Sequence, residues 1–262
     1  MIFWTNIVLI ACIIIKSGAA DSNCACGRAA LAKLDSFDQE MVAIQNHPWV
    51  VRLVATRGTR DTKRRGKHCD GYVISPRHIL TRNECGCRQN FTHTLYHGSS
   101  LFLYENPTAT PGIQKIDLAD IKCLDTKEFT VIELPEALPL SSKLKPICVA
   151  ESSVYDKTLF RTYQVSWNFF SNRNFDSIDA ICQWKIDPKK VEFEPEKHRT
   201  RLPLMEEQIG TRQALLALSP SGQWSITGID LTDPEWNYKN DMALHLDVYR
   251  DVLKKSPEIC FV

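Results

Sequence analysis

The sequence predicts an all-β domain with a C-terminal helix. Two features within the chain point there. Apolar, β-branched runs around Val50, Ile74 and Ile79 are short and punctuated by turn formers, the polar stretch from Arg57 to His68 and the pair Ser75-Pro76. Near the other end, Leu246, Tyr249, Val252 and Leu253 are spaced to place one helical face on a core, so Ala243 to Lys255 reads as helix-forming. A chain of 262 residues that is 44% hydrophobic has enough apolar material for a sizeable core.

From the N-terminus, Ile7 to Ile15 is an apolar run too short to span a bilayer, and Ser17-Gly18-Ala19-Ala20 supplies the small residues of a cleavage site. Residues 1–20 therefore read as a secretory signal peptide and the protein as secreted. The first six residues carry no basic side chain and Lys16 follows the apolar run, which keeps a signal anchor as the alternative. Ten cysteines, Cys12 inside the leader, suit an oxidising destination. Lys plus Arg (32) nearly balances Asp plus Glu (31), so net charge makes no case for nucleic acid or an anionic membrane as partner.

Seven segments, in order, carry a resemblance. His47-Pro48-Trp49-Val50-Val51-Arg52-Leu53 precedes Cys69-Asp70-Gly71-Tyr72-Val73-Ile74-Ser75-Pro76, which is similar to Cys-Gly-Gly-x-Leu-Ile-x-Pro, and Thr81-Arg82-Asn83-Glu84-Cys85 aligns with Thr-Ala-Ala-His-Cys. Glu128-Phe129-Thr130-Val131-Ile132-Glu133-Leu134 resembles Asp-Ile-Ala-Leu-Leu-x-Leu, Lys145-Pro146-Ile147-Cys148 contains Pro-Ile-Cys, and Val165-Ser166-Trp167-Asn168 is similar to Val-x-Gly-Trp-Gly. Met242 to Leu253 keeps the spacing of Val-Tyr-Thr-Arg-Val-x-x-Tyr-x-x-Trp-Ile, with Tyr249 in register. The chain thus resembles the trypsin and chymotrypsin family of serine proteases from about Asn46 to Leu253.

That resemblance implies two six-stranded antiparallel Greek-key β-barrels with a C-terminal helix. It places barrel 1 at about 47–134, a connector at 135–150, barrel 2 at about 151–241, the helix at about 243–255 and a tail at 256–262, with 21–46 an N-terminal segment tethered by a disulfide. It also implies a Cys69–Cys85 bridge and a bond from Cys148 to Cys24 or Cys26. By elimination, Cys87 pairs with Cys123 and Cys182 with Cys260, leaving one cysteine over. Cys24-Ala25-Cys26 and Cys85-Gly86-Cys87 have too few residues between thiols for ordinary structural zinc, so no metal or other cofactor is expected.

The same alignment removes the catalysis. A Ser-His-Asp site needs an imidazole that takes and returns the serine proton near neutral pH. Glu84 stands at the histidine position, Glu128 at the aspartate and Thr211 at the serine. Two neighbouring carboxylates repel and do not orient one another. Ile209 replaces a glycine of the oxyanion turn, and Gly210 occupies the place of the aspartate that would pair with a freed Ile-Val terminus, itself missing between Asp35 and Asn46. Leu231-Thr232-Asp233 replaces the cleft-lining Ser-Trp-Gly, and Met205 falls at the floor of the specificity pocket. His78, His93 and His97 are alternative bases, read as ordinary histidines, and a glycosidase or metal role for the Glu84–Glu128 pair finds no supporting ligand cluster.

The expected function is therefore binding. Arg57, Arg60, Lys63, Arg64, Arg65 and Lys67 crowd one loop with Asp61 the only acid, a candidate surface for an acidic extracellular protein, a protease or its substrate, or for a sulfated glycan. The plain alternative is a solvated loop, and Lys63-Arg64-Arg65 also reads as a convertase site. Asn90-Phe91-Thr92 is a glycosylation sequon, and Lys189 to Pro203 reads as a charged, strand-poor surface loop. The sequence reads as a secreted non-catalytic protease homologue: a regulator, cofactor or decoy in an extracellular cascade or host-defence setting. An active endopeptidase with different catalytic residues and a glycan-binding protein are the alternatives.

Overall fold

The computed structural model describes residues 25–29, 39–43, 46–57, 67–83, 86–87, 91–98, 101–102, 113–118, 120–126, 129–151, 158–166, 177–194, 196, 199–201, 213–230 and 242–262. The first half contributes β1 (Gln39–Ala43), β2 (Val50–Arg57), β3 (Lys67–Ser75), β4 (His78–Arg82), β5 (Phe91–Gly98), β6 (Leu101–Phe102), β7 (Ile113–Leu118), β8 (Lys122–Asp125) and β9 (Phe129–Glu133). The second contributes β10 (Cys148–Val149), β11 (Thr158–Ser166), β12 (Ser177–Lys185), β13 (Glu192–Glu194), β14 (Arg199–Arg201), β15 (Gln213–Leu218), β16 (Trp224–Asp230) and β17 (Met242–His245). A 3-10 turn at Leu246–Tyr249 leads into the single-turn helix α1 (Arg250–Leu253).

These strands form two sheets. A seven-stranded sheet runs β7-β5-β2-β3-β4-β9-β8, and a ten-stranded one runs β1-β12-β11-β15-β16-β17-β14-β13, with β10 on β16 and β6 on β12. Among the described residues every pairing between these strands is antiparallel except β10 with β16. Register shifts after Val73, Val165 and Leu215 add local twist and help each sheet curl. The all-β architecture and C-terminal helix are as the sequence predicts. Among the described residues the strands number seven and ten, because β1 and β6 cross into the second sheet and short β10, β13 and β14 extend it.

Strand alternation builds two cores from the first sheet. Val51, Leu53, Cys69, Val73, Ile79, Leu95 and Ile132 face one way and pack on Leu134, Leu138 and Leu144. Val50, Tyr72, Ile74, Leu80, Phe129 and Val131 face the other way and pack on Phe160, Leu216, Trp224, Ile226 and Ile229 of the second sheet, with Leu246 and Leu253 sealing one side. Central strands covered on both faces explain why this region reads as near-continuous apolar runs. His47, Trp49, Phe160 and Trp224 form an aromatic cluster across the junction, with Phe160 and Trp224 centroids 4.9 Å apart.

The N-terminal segment is built into the second half. Cys26 is the residue bonded to Cys148, Cα to Cα 5.0 Å, while Cys24 lies outside the described residues. Gly27 donates its N–H to Pro146 O and accepts from Trp224 N, each at 2.9 Å. Its φ is +66°, and a Cβ placed there would lie 2.0 Å from Trp224 O, so only glycine fits.

Two expectations about elements need correction, and one gains detail. Within the tethered segment 21–46, residues 39–43 form a strand on β12. The stretch Lys189 to Pro203 contains a β13–β14 hairpin: Glu192 and Glu194 face Arg201 at 3.0 and 3.3 Å, so its charges pair across strands. The helix begins at Arg250 rather than near 243, because Met242 to His245 hydrogen-bond as a strand to both β16 and β14. Leu246 and Leu253 are nonetheless fully buried, as their spacing predicted.

Candidate functional site

The β4–β9 pair positions the corner where the sequence places its altered residues. β4 pairs antiparallel with β9 from His78↔Glu133 to Arg82↔Phe129. The ladder therefore ends one residue short of Asn83 on one strand and at the residue after Glu128 on the other. Glu84 and Glu128 themselves lie outside the described residues, but their flanking segments meet at one end of one strand pair.

A hydrogen-bond network ties these segments together. Asn83 Nδ2 donates to Thr126 O at 2.6 Å, while Thr130 Oγ1 lies 2.7 Å from Asn83 Oδ1 and 2.5 Å from Asp125 Oδ1. A hydroxyl has one proton, so Thr130, fully buried, serves one of these acceptors at a time. Thr126 closes a tight turn on Phe129: its N–H and hydroxyl donate to Phe129 O, and its Oγ1 accepts from Phe129 N. Gly86 N donates to Asn83 O at 3.1 Å. A Cβ on Gly86 would come within 2.6 Å of Thr130 Oγ1 and 2.8 Å of Asp125 Oδ1, so the two loops touch. Beyond it, Cys87 is bonded to Cys123 of β8, Cα to Cα 5.6 Å. The 83–87 loop is thus pinned at both ends to the β8–β9 hairpin.

Beneath the corner lies a charged row. Arg52 of β2 pairs with Asp70 of β3 at 3.3 Å, their side chains 9% and 6% exposed. Half-buried Arg82 is one step further along the β3–β4 ladder, which pairs Gly71 with Thr81, and Thr81 Oγ1 donates to Asp70 O. By the alignment, Asp70 and Arg82 stand where the resembled family has glycine and alanine. Charge has replaced two small residues on the sheet face turned toward the second half. Removing one partner of such a buried pair costs about 3–5 kcal/mol.

The other candidates are distributed as follows. Thr211, Ile209, Gly210, Met205 and Leu231 to Asp233 lie outside the described residues, as do Cys85 and Asn90; Thr211 precedes β15, whose Ala214 is buried against β16. Cys69 and Cys260 are both disulfide-bonded, and the side chain of Cys182 on β12 is not described. Disulfide bonding of Cys26 and Cys87 removes both as zinc thiolates. Arg57 closes β2 and Lys67 opens β3, at the sheet end that carries Asn83, while Arg60, Lys63, Arg64 and Arg65 fall in the undescribed connection. His93 and His97 lie on β5, three strands from β4 or roughly 14 Å across the sheet. His78 is at the opposite end of β4 from Arg82, roughly 13 Å away. None of these three histidines is brought to the corner.

Asn83, Asp125, Thr126 and Thr130 are functional candidates that motif reading passes over. Their signal in the sequence is slight: polar residues inside segments whose apolar neighbours carry the resemblance.

Two curled antiparallel sheets, in this order and with this C-terminal helix, define the trypsin-like serine protease fold. A solved structure of the scabies mite inactivated protease paralogue S-D1 superposes on the chain with a TM-score of 0.56 and 13% sequence identity, covering 84% of this chain and 96% of that one. No protein-family model matches the sequence. No curated protein matches it either.

Proposed function

We propose that the chain is a secreted, non-catalytic serine protease homologue that acts by binding an extracellular protein. One observation carries this reading: Glu84 follows Asn83 in the sequence where the alignment requires an imidazole, and His78, His93 and His97 all lie elsewhere on the sheet. Loss of triad function lowers turnover about 10^4–10^6-fold. A fold neighbour described as an inactivated protease paralogue supports the same reading. The corner network suits a binding role, tying Asn83, Gly86 and Cys87 to the β8–β9 hairpin.

The partner surface in this proposal is the sheet end that carries Arg57, Lys67 and Asn83, with the basic residues of the 57–67 stretch selecting an acidic protein. Fluorophosphonate labelling of the purified protein tests the inactivity: no serine or threonine is expected to be modified, and labelling at Thr211 would overturn the reading. Heparin retention that is lost in R64A/R65A would reassign the basic loop to sulfated glycans.

A further inference from the structure

We propose that the cleft between the start of β4 and the C-terminal tail is a binding site for a small amphipathic carboxylate, an apolar group carrying one anionic end. The cleft has a volume of about 530 Å³, within the usual range for small-molecule sites. One wall is β8, another is β9, and α1 with the segment Lys255 to Ile259 closes the third side. Val131, Leu253 and Ile259 give it a buried apolar floor, and Leu124, 41% exposed, forms an apolar lip.

One polar group is set deep in this wall. His78 is only 6% exposed, and its Nδ1 lies 2.7 Å from Ser75 Oγ. Ser75 Oγ also accepts the backbone N–H of Arg77 at 3.1 Å. No other acceptor for the serine proton exists among the described residues, so that proton points at Nδ1. The imidazole is then the tautomer with its hydrogen on Nε2, and that N–H has no partner among the described residues. Burial favours this neutral form, against the pull of Glu133 and Glu258 and with the help of Arg77. A free N–H on a side chain that lines a cleft with an apolar floor can serve an acceptor oxygen.

Charge around the mouth selects an anionic one. Arg77 and Glu133 form a loose, exposed pair at 4.0 Å. Lys122 and Lys255 remain, opposed by Glu258, which makes no ion pair among the described residues. A bound carboxylate would accept from His78 Nε2 with the two lysines beside it, and Glu258 would compete with it. The cleft shares β8 with the 83–87 corner: Cys123 in its wall is bonded to Cys87, and Asp125 two residues on bonds Thr130. An occupant therefore rests on the strand that carries the corner network.

The ligand chemistry fits both a medium-chain fatty acid and the C-terminus of an apolar peptide. The test is an NMR titration of the full chain, following the His78 imidazole, with decanoate, with N-acetyl-leucyl-leucine and with the C-terminal amide of that dipeptide. At least one acid is expected to shift His78 saturably while the amide does not, and which acid does so identifies the source. H78F should weaken binding about tenfold, E258Q should tighten it, and L124W should block it at the lip while leaving the buried Ser75–His78 contact in place. Failure of both acids to shift His78, equal binding of the amide, or unchanged affinity in L124W or in folded H78F would overturn the proposal.

Discussion

Replacing Thr130 with valine removes the hydroxyl from the centre of the corner network and keeps the side-chain shape. Thr130 is fully buried, so the change leaves neither a cavity nor a clash. What is lost is one donated hydrogen bond, shared between Asp125 Oδ1 at 2.5 Å and Asn83 Oδ1 at 2.7 Å. Exposed Asp125 regains water, while half-buried Asn83 does so only in part, which sets the net cost at about 1–1.5 kcal/mol. That is roughly a five- to tenfold shift in the folding equilibrium, or about 3–5 °C in Tm for a domain of this size. Asn83→Ala removes the amide donor to Thr126 O as well and should cost about 1–2 kcal/mol. Because both variants break the same Thr130–Asn83 contact, the double variant should be less destabilised than the sum by about 0.5–1 kcal/mol. Urea unfolding of the four proteins measures this cycle. Additivity to within about 0.3 kcal/mol would mean that the two loops are not coupled through Thr130.

Three further outcomes follow from other contacts. Glu151 is held below its ordinary value of 4.5, first by the hydrogen bond from Lys254 and with help from Arg250, against a smaller opposing effect of burial. A depressed carboxylate stabilises the fold above that value and loses the effect as pH falls. Because the group is well exposed, E151Q should abolish a loss of only about 0.5 kcal/mol in urea unfolding below pH 5. Burial lowers His78 below 6.5, so its stabilising preference is present above that pH and fades on acidification; an NMR titration should place its midpoint below 6.5, and a midpoint above it would refute the buried neutral imidazole. Gly27→Ala forces a Cβ to within 2.0 Å of Trp224 O at a φ of +66°, and should cost at least about 3 kcal/mol, read as a lower unfolding midpoint or failed secretion.

Much of the first sheet was legible because its central strands are buried on both faces. Val50 to Leu53, Val73 with Ile74 and Phe129 to Leu134 therefore announce themselves as apolar, β-branched runs. β1 does not: Gln39-Glu40-Met41-Val42-Ala43 is a strand only because β12 supplies its partner from the other half of the chain. The β13–β14 hairpin was hidden by its own charge, since Glu-x-Glu and Arg-x-Arg read as solvated until the strands are placed face to face. Met242 to His245 was drawn into a helical spacing by Leu246 and its followers, and only strand pairing separates the two. At the corner, alignment located residue types, but the contacts depend on two loops touching at Gly86. Likewise His78 was visible as a histidine, whereas the roles of Ser75 and Glu258 require the hairpin and the tail to be folded around it.

The crossing of β1 into the second sheet bears on how the chain is made. Gln39 pairs with Trp184, so the strand leaves the ribosome long before its partner, with the whole first sheet synthesised in between. At ordinary elongation rates that delay is on the order of 10 s. During it, Met41 and Val42 belong to an unpaired edge next to a sheet that has open edges of its own, a setting in which wrong pairing is the main hazard. Neither half should fold alone, and yield should depend on whatever shields residues 39–43 until β12 arrives.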